Sequence, residues 1–221
     1  AFGEDGSSGA AALVSGSALL LQELFRQREG SQAPAALLRS ILVNSADDLG
    51  TKAVDYVYGF GNLNAFAALQ TVREGRYHSG ILQAFGQYAR EISLPPGAGL
   101  LKISLTWNDP PAAPNASKAL INDLDLMLVN KSTGETWLPW VLSAFPQQDS
   151  LRRPALRGRD SLNNIEQVTL ELPDGGVYEI RVRAGALPAS QAFHFSWQVD
   201  SADTFQWLYP LRKDPVEAGK S

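Results

Sequence analysis

The sequence predicts a helical segment followed by an all-β sandwich of jelly-roll type, and two observations carry that division. Up to about Glu74 the apolar residues recur with a helical period, whereas beyond Gly75 they alternate with polar ones at a period of two. Clusters of glycine, proline and small polar residues punctuate the second part at the spacing of short strands. The boundary falls between Arg73 and Ser79, which divides the chain into residues 1–75, 76–211 and a polar tail at 212–221. A chain of 221 residues can bury one large core or two small ones.

In the first part, Ala11, Leu13, Val14, Ala18, Leu20, Leu21, Leu24 and Phe25 crowd most of one helix, which is expected to be buried nearly all round and to end near Gly30. Its apolar run, residues 10–21, is interrupted by Ser15, Gly16 and Ser17 and is too short to span a bilayer. Gly16 suggests the close approach of another backbone. A second helix opens at Pro34, carries Leu37, Leu38, Ile41 and Leu42, and ends in Asn44-Ser45-Ala46-Asp47-Asp48. Residues 56–61 read as a loop or short strand, and Asn64 is placed to cap a third helix over 65–73.

In the second part, Leu101, Ile103, Leu105 and Trp107 alternate with Leu100, Lys102, Ser104 and Thr106. The same pattern recurs around Val168, Leu170 and Leu172, around Tyr178, Ile180 and Val182, and around Phe193, Phe195 and Trp197. Turn signals at Pro95-Pro96-Gly97, Ser132-Thr133-Gly134, Pro173-Asp174-Gly175-Gly176 and Leu187-Pro188 separate these strands.

Composition removes several function classes. A net charge of −4 leaves no basic footprint for nucleic acid or an anionic membrane. With no cysteine there is no disulfide framework, thiolate metal site or cysteine nucleophile. Ala1-Phe2-Gly3-Glu4 lacks the order of a signal peptide, so the chain reads as starting inside a domain.

Gly6-Ser7-Ser8-Gly9-Ala10-Ala11-Ala12-Leu13-Val14-Ser15-Gly16 places a serine at the start of an apolar helix, where unpaired N–H groups and the helix dipole face any oxyanion that forms. The competing reading is a serine that merely caps the helix. The string resembles the signature of the subtilisin-like serine proteases, the subtilases, with Ser8 as nucleophile. Residues 36–47 and the Gly59-Phe60-Gly61-Asn62-Leu63-Asn64-Ala65 element resemble the last helices of the same family, in the same order. Ser7 and Ala12 stand where the family usually has threonine and proline. The resemblance implies an α/β fragment, the C-terminal helices of a catalytic domain whose parallel sheet lies upstream.

The stretch from Leu101 to Pro110, together with Ile121-Asn122-Asp123-Leu124-Asp125-Leu126 and Asn163-Asn164-Ile165-Glu166-Gln167-Val168, resembles the C-terminal β-domain of the alkaline, oxidatively stable subtilases. Asp123 and Asp125 lie two apart on one strand face and repel unless solvated or paired with cations. With Asn164 and Glu166 they make a candidate calcium site, against the alternative of a hydrogen-bonded polar set fixing the strand ends. Trp137 and Trp140 are the tryptophans expected to be partly exposed, while Trp107, Trp197 and Trp207 read as mostly core.

The resemblance implies a secreted serine endopeptidase acting on polypeptide substrates by acyl transfer through Ser8. Its aspartate, histidine and oxyanion asparagine precede the serine in the family. His78 and His194, the histidines of this chain, read as a surface residue and a strand-face residue. The chain alone is therefore expected to be inactive and to need the N-terminal part of the catalytic domain as its partner. The alternative is a non-catalytic binding module or pseudoprotease whose sandwich contacts glycan or protein.

Overall fold

The computed structural model describes residues 6–201, so Trp207, the end of the β region and the 212–221 tail lie outside the described residues. Three helices come first: α1 (Ser7–Glu29), α2 (Ala35–Ser45) and α3 (Ala65–Arg73). Then follow β1 (Tyr77–Leu82), β2 (Gln87–Leu94), β3 (Ala98–Trp107), β4 (Leu124–Asn130), β5 (Thr136–Trp137) and β6 (Trp140–Val141). A short helix α4 (Gln148–Leu151) leads into β7 (Leu156–Arg157), β8 (Ile165–Glu171), β9 (Gly176–Ala184) and β10 (Gln191–Ser201).

Each helix ends where its sequence says it should. Gly30 takes the left-handed conformation at φ 71° and donates its N–H to Arg26 O, closing α1. Asn64 accepts from Ala67 N at 2.9 Å as the cap of α3. Between α2 and α3, Asp47 and Asn62 exchange backbone hydrogen bonds of 2.8 Å in both directions. Gly61 sits there at φ 110°, and a Cβ on it would fall 2.0 Å from Asp47 O, so no other residue fits. No strand forms among residues 6–76, and Tyr56 to Gly61 is a turn.

The strands form two four-stranded antiparallel sheets, ordered β1-β10-β3-β8 and β2-β9-β4-β5, with β6 and β7 as a separate ribbon. Leu101, Ile103, Leu105 and Trp107 from the first sheet meet Leu124, Leu126, Leu128, Tyr178, Ile180 and Val182 from the second in one apolar core. A smaller core joins the helices: Leu21 and Phe25 of α1 against Leu37, Leu38 and Ile41 of α2 and Ala68 and Val72 of α3. Gln22 fixes the α1–α2 turn by donating to Ala33 O and accepting from Ala33 N, both at 2.9 Å.

The expectation that α1 is buried all round is corrected. Only Leu21 and Phe25 are buried, while Leu13 and Leu19 are each 71% exposed and Leu20 58%. No neighbour comes within 4 Å of a Cβ built on Gly16, so the expected close approach is not met among the described residues. By length and composition alone α1 is long and apolar enough to cross a membrane. Among the described residues the helices rest on no parallel sheet; α2 lies on the face of the first antiparallel sheet that carries Lys102, Ser104 and Thr106.

Candidate functional site

Ser8 stands in the first turn of α1, exposed. Gly6 is the N-cap and no side chain caps the helix, so neither Ser7 nor Ser8 plays the capping role that competed with nucleophile chemistry. Among the described residues the first N–H groups of α1 have no side-chain acceptor, which is the condition for receiving an anion there.

Both histidines are engaged within the β region. His78, on β1, stacks on Tyr88 with ring centroids 4.5 Å apart and packs by Phe195. Burial, and then the nearby Arg90 guanidinium, hold its imidazole below the ordinary value. His194, on β10, is buried, with Nδ1 2.7 Å from Ser79 Oγ. Burial lowers it too, with His78 adding to the effect.

The four residues expected to gather a calcium ion are engaged separately. Asp123 precedes β4 and accepts from Lys118 Nζ at 3.2 Å, while Asp125 pairs with Arg159 at 3.1 Å. Asn164 turns its amide toward Trp107 O, donating at 2.9 Å. Glu166 is 1% exposed and faces the core opposite Leu105, where its Oε2 accepts from Leu126 N at 2.6 Å and so ties β8 to β4 across the two sheets. Burial pushes its carboxyl well above the usual range, with Asp125, Asp160 and Asp123 adding to the rise. Glu166 Oε1 and Asp123 Oδ1 are buried without partners, yet among the described residues no three acidic, histidine or cysteine side chains could hold one ion together. The set as arranged does not fit calcium, which needs six to eight oxygens (about) around one point.

Trp137 and Trp140 are half-buried, as expected. The Arg157 guanidinium covers Trp140 at 3.8 Å from the ring centroid, and Trp137 packs beside Tyr178.

Sequence reasoning missed the polar seam between α2 and the sheet. Thr106 Oγ1 donates to Ala36 O at 2.6 Å, and Ser40 Oγ donates to Ser104 O at 2.7 Å and lies 2.8 Å from Ser196 Oγ. Ser104 Oγ donates to Asn44 Oδ1 at 3.0 Å, and Lys102 Nζ donates to Ala46 O, at the end of α2, at 2.6 Å. At the far end Arg39 Nη2 donates to Trp107 O at 2.7 Å and to Asn164 O at 3.1 Å. The available signal was the spacing of Ala36, Ser40 and Asn44, four residues apart on one helix face.

Residues 3–61 match the subtilase family, peptidase S8. Over 200 residues, 80% of this chain, the sequence is 25% identical to the serine protease/ABC transporter B family protein tagA of Dictyostelium discoideum. The matched stretch is 11% of that protein's length. Among solved structures, the pre-peptidase C-terminal domain of a Bacillus anthracis collagenase aligns at 12% identity over 55% of this chain and 87% of its own, with a TM-score of 0.32. A Sulfurospirillum deleyianum structure aligns at 9% identity over 55% and 97%, with a TM-score of 0.28. At those scores neither likeness carries an argument.

Proposed function

The chain carries a subtilase-like segment at residues 3–61, and from it we propose that the protein is a serine endopeptidase whose nucleophile is Ser8. The observation that carries the reading is the placement of Ser8 within that segment, exposed in the first turn of an uncapped helix of 23 residues. Ser8 Oγ attacks a peptide carbonyl, the α1 N–H groups face the oxyanion, and a histidine takes the serine proton and passes it to the leaving amine. Water then hydrolyses the acyl-enzyme. Because His78 and His194 are committed within the β region, that histidine comes from outside these 221 residues, and the subtilase resemblance places its orienting aspartate and the oxyanion asparagine there too.

The exposed Leu13, Leu19 and Leu20 are the face against which that remaining part of the catalytic domain packs, giving the apolar stripe of α1 a protein partner rather than a lipid one. Residues 76–201, the described part of the 76–211 division, form an accessory β-domain of jelly-roll type. The orders β1-β10-β3-β8 and β2-β9-β4-β5 support this, since the chain passes between two facing four-stranded sheets six times, as it does in a doubled Greek key. The break between α3, which ends at Arg73, and β1, which begins at Tyr77, supports the boundary. The reading carries with it an exported enzyme acting on polypeptides.

The test is labelling of the full-length protein with a fluorophosphonate, followed by peptide mapping. Ser8 is expected to take the label, and Ser8→Ala to abolish both label and peptidase turnover at a stability cost of at most about 1 kcal/mol. Peptidase activity retained by the alanine variant would overturn the assignment.

A further inference from the structure

α2 and β3 meet in a matched register. Four residues of helix rise about 6 Å and two residues of strand about 6.6 Å. Ala36, Ser40 and Asn44 therefore stay in step with Thr106, Ser104 and Lys102 along the whole seam. Such a register is nearly repetitive. Sliding α2 by one turn would set Ser40 beside Thr106 and Asn44 beside Ser104 with comparable hydrogen bonding, so the hydroxyls and amides leave the register open and its two charged ends, Lys102 at Ala46 O and Arg39 at the other end, mark where the helix stops.

Arg39 removes that ambiguity. Its guanidinium reaches two carbonyls that occur together only where β3 and β8 begin to part, those of Trp107 and Asn164. The two are locked: Trp107 N donates to Asn164 O at 3.3 Å, and Asn164 Nδ2 donates to Trp107 O at 2.9 Å. The Trp107 indole N–H donates to Asn122 O at 2.9 Å, and Asn122 N donates to Asp109 Oδ1 at 2.7 Å. Burial holds the Arg39 guanidinium below its usual value and no charge offsets this. Mere stability is better served by an apolar side chain in such a place; one Nη2 donating to both carbonyls supplies direction.

We propose that the Trp107 and Asn164 carbonyls form a guanidinium socket, and that Arg39 is the positioning residue that sets where the serine-bearing helices sit on the β-sheet. This gives Asn164 a role other than cation binding. The link to Ser8 rests on the proposed function and runs through α1, which is fastened to α2 at Leu21 and Phe25. From Leu21 to Ser8 is roughly 20 Å along the helix, so a tilt of about 5° displaces the serine by nearly 2 Å. A shift of about 1 Å can cost a hundredfold in rate.

The experiment compares Arg39→Ala, Arg39→Lys and Asn164→Ala with wild type in the full-length protein, well below its melting temperature, by amide hydrogen exchange and by the rate of fluorophosphonate labelling at Ser8. In Arg39→Ala the amides of α2 and of the C-terminal half of α1 are expected to exchange about tenfold to a hundredfold faster, while β4 and β9 are unchanged. Asn164→Ala should share the pattern and Arg39→Lys fall between. Labelling should slow by about tenfold or more. Unchanged α2 exchange, or an equal rise across both sheets, would overturn the socket. Faster helix exchange with an unchanged labelling rate would reduce Arg39 to a structural contact and overturn the positioning role. If wild type itself fails to label, the Ser8 reading is lost, and the exchange pattern still decides whether the socket exists.

Discussion

The two faces of the sheet β1-β10-β3-β8 are both buried, yet they are made of opposite materials. Inward, Ile103, Leu105 and Trp107 lie opposite Trp197, Phe195 and Phe193 and are held by removal of apolar area from water. Outward, Lys102, Ser104 and Thr106 lie opposite Gln198, Ser196 and His194, and all are covered without being apolar. The outer face is sustained by satisfied hydrogen bonds to α2, whose omission would be costly although their net gain is modest. A period-two pattern therefore reports which face is apolar, not which face is wet.

The sharpest way to break this contrast is to truncate one residue on each face. Leu105→Ala should lower stability by about 3 kcal/mol, because the surrounding rings cannot close the cavity. In a chain of this length that is about 10 °C in the melting midpoint. Ser40→Ala should cost about 1 to 2 kcal/mol, by leaving Ser104 O and Ser196 Oγ short of a partner. Equal losses would mean that the two faces are held alike.

Acidification probes the polar and aromatic surroundings of β1. His78 and His194 both have depressed values, chiefly from burial, so the unfolded chain binds protons that the folded one refuses. Their contribution is fully present above the ordinary value of about 6.5 and is lost as pH falls through the folded values. A melting midpoint that drops by several degrees between pH 7 and pH 5, and drops less in His194→Gln, is the expected outcome. A flat profile would show that neither ring stays neutral on folding.

The smallest effects belong to the acidic strings. Since Lys118 and Arg159 already face Asp123 and Asp125, melting midpoints in EDTA and in calcium are expected to coincide. A clear rise with calcium would show that the ion displaces both cations. Glu166 carries a raised value, so its ionised form weakens the fold as pH climbs above the usual carboxylate range. Glu166→Gln keeps an acceptor for Leu126 N and should raise the midpoint at pH 8 by about 3 °C, roughly 1 kcal/mol.

Much of the fold was legible because local chemistry and tertiary structure agree there. Gly30, Pro34 and Asn64 mark helix ends with the conformations their side chains favour, and β3, β9 and β10 alternate as strands do. The strand β1 was not legible: Tyr77-His78-Ser79-Gly80-Ile81-Leu82 has no clean alternation, and its Ile81 is exposed while His78 packs among aromatic rings. The burial of α1 was misread because apolar content says a helix needs cover without saying that the cover is present. Ser8 was found from its motif, whereas Arg39 was not, because its partners are carbonyls whose meeting depends on folding. The tie from Glu166 to Leu126 N was not legible either, because its partner is a backbone N–H that only folding brings from the opposite sheet.

The helix–sheet seam has a consequence for the surroundings in which the protein can work. Carbonyls and hydroxyls make up its partners, and its two cations, Arg39 and Lys102, point at carbonyl oxygens rather than at carboxylates. Counterions weaken attraction between exposed charges but scarcely reach buried contacts between a charge and a dipole. The exposed pairs Arg26–Glu23 and Lys52–Glu171 should fade in brine, while the placement of the serine-bearing helices persists. The joint is thus built to ignore ionic strength.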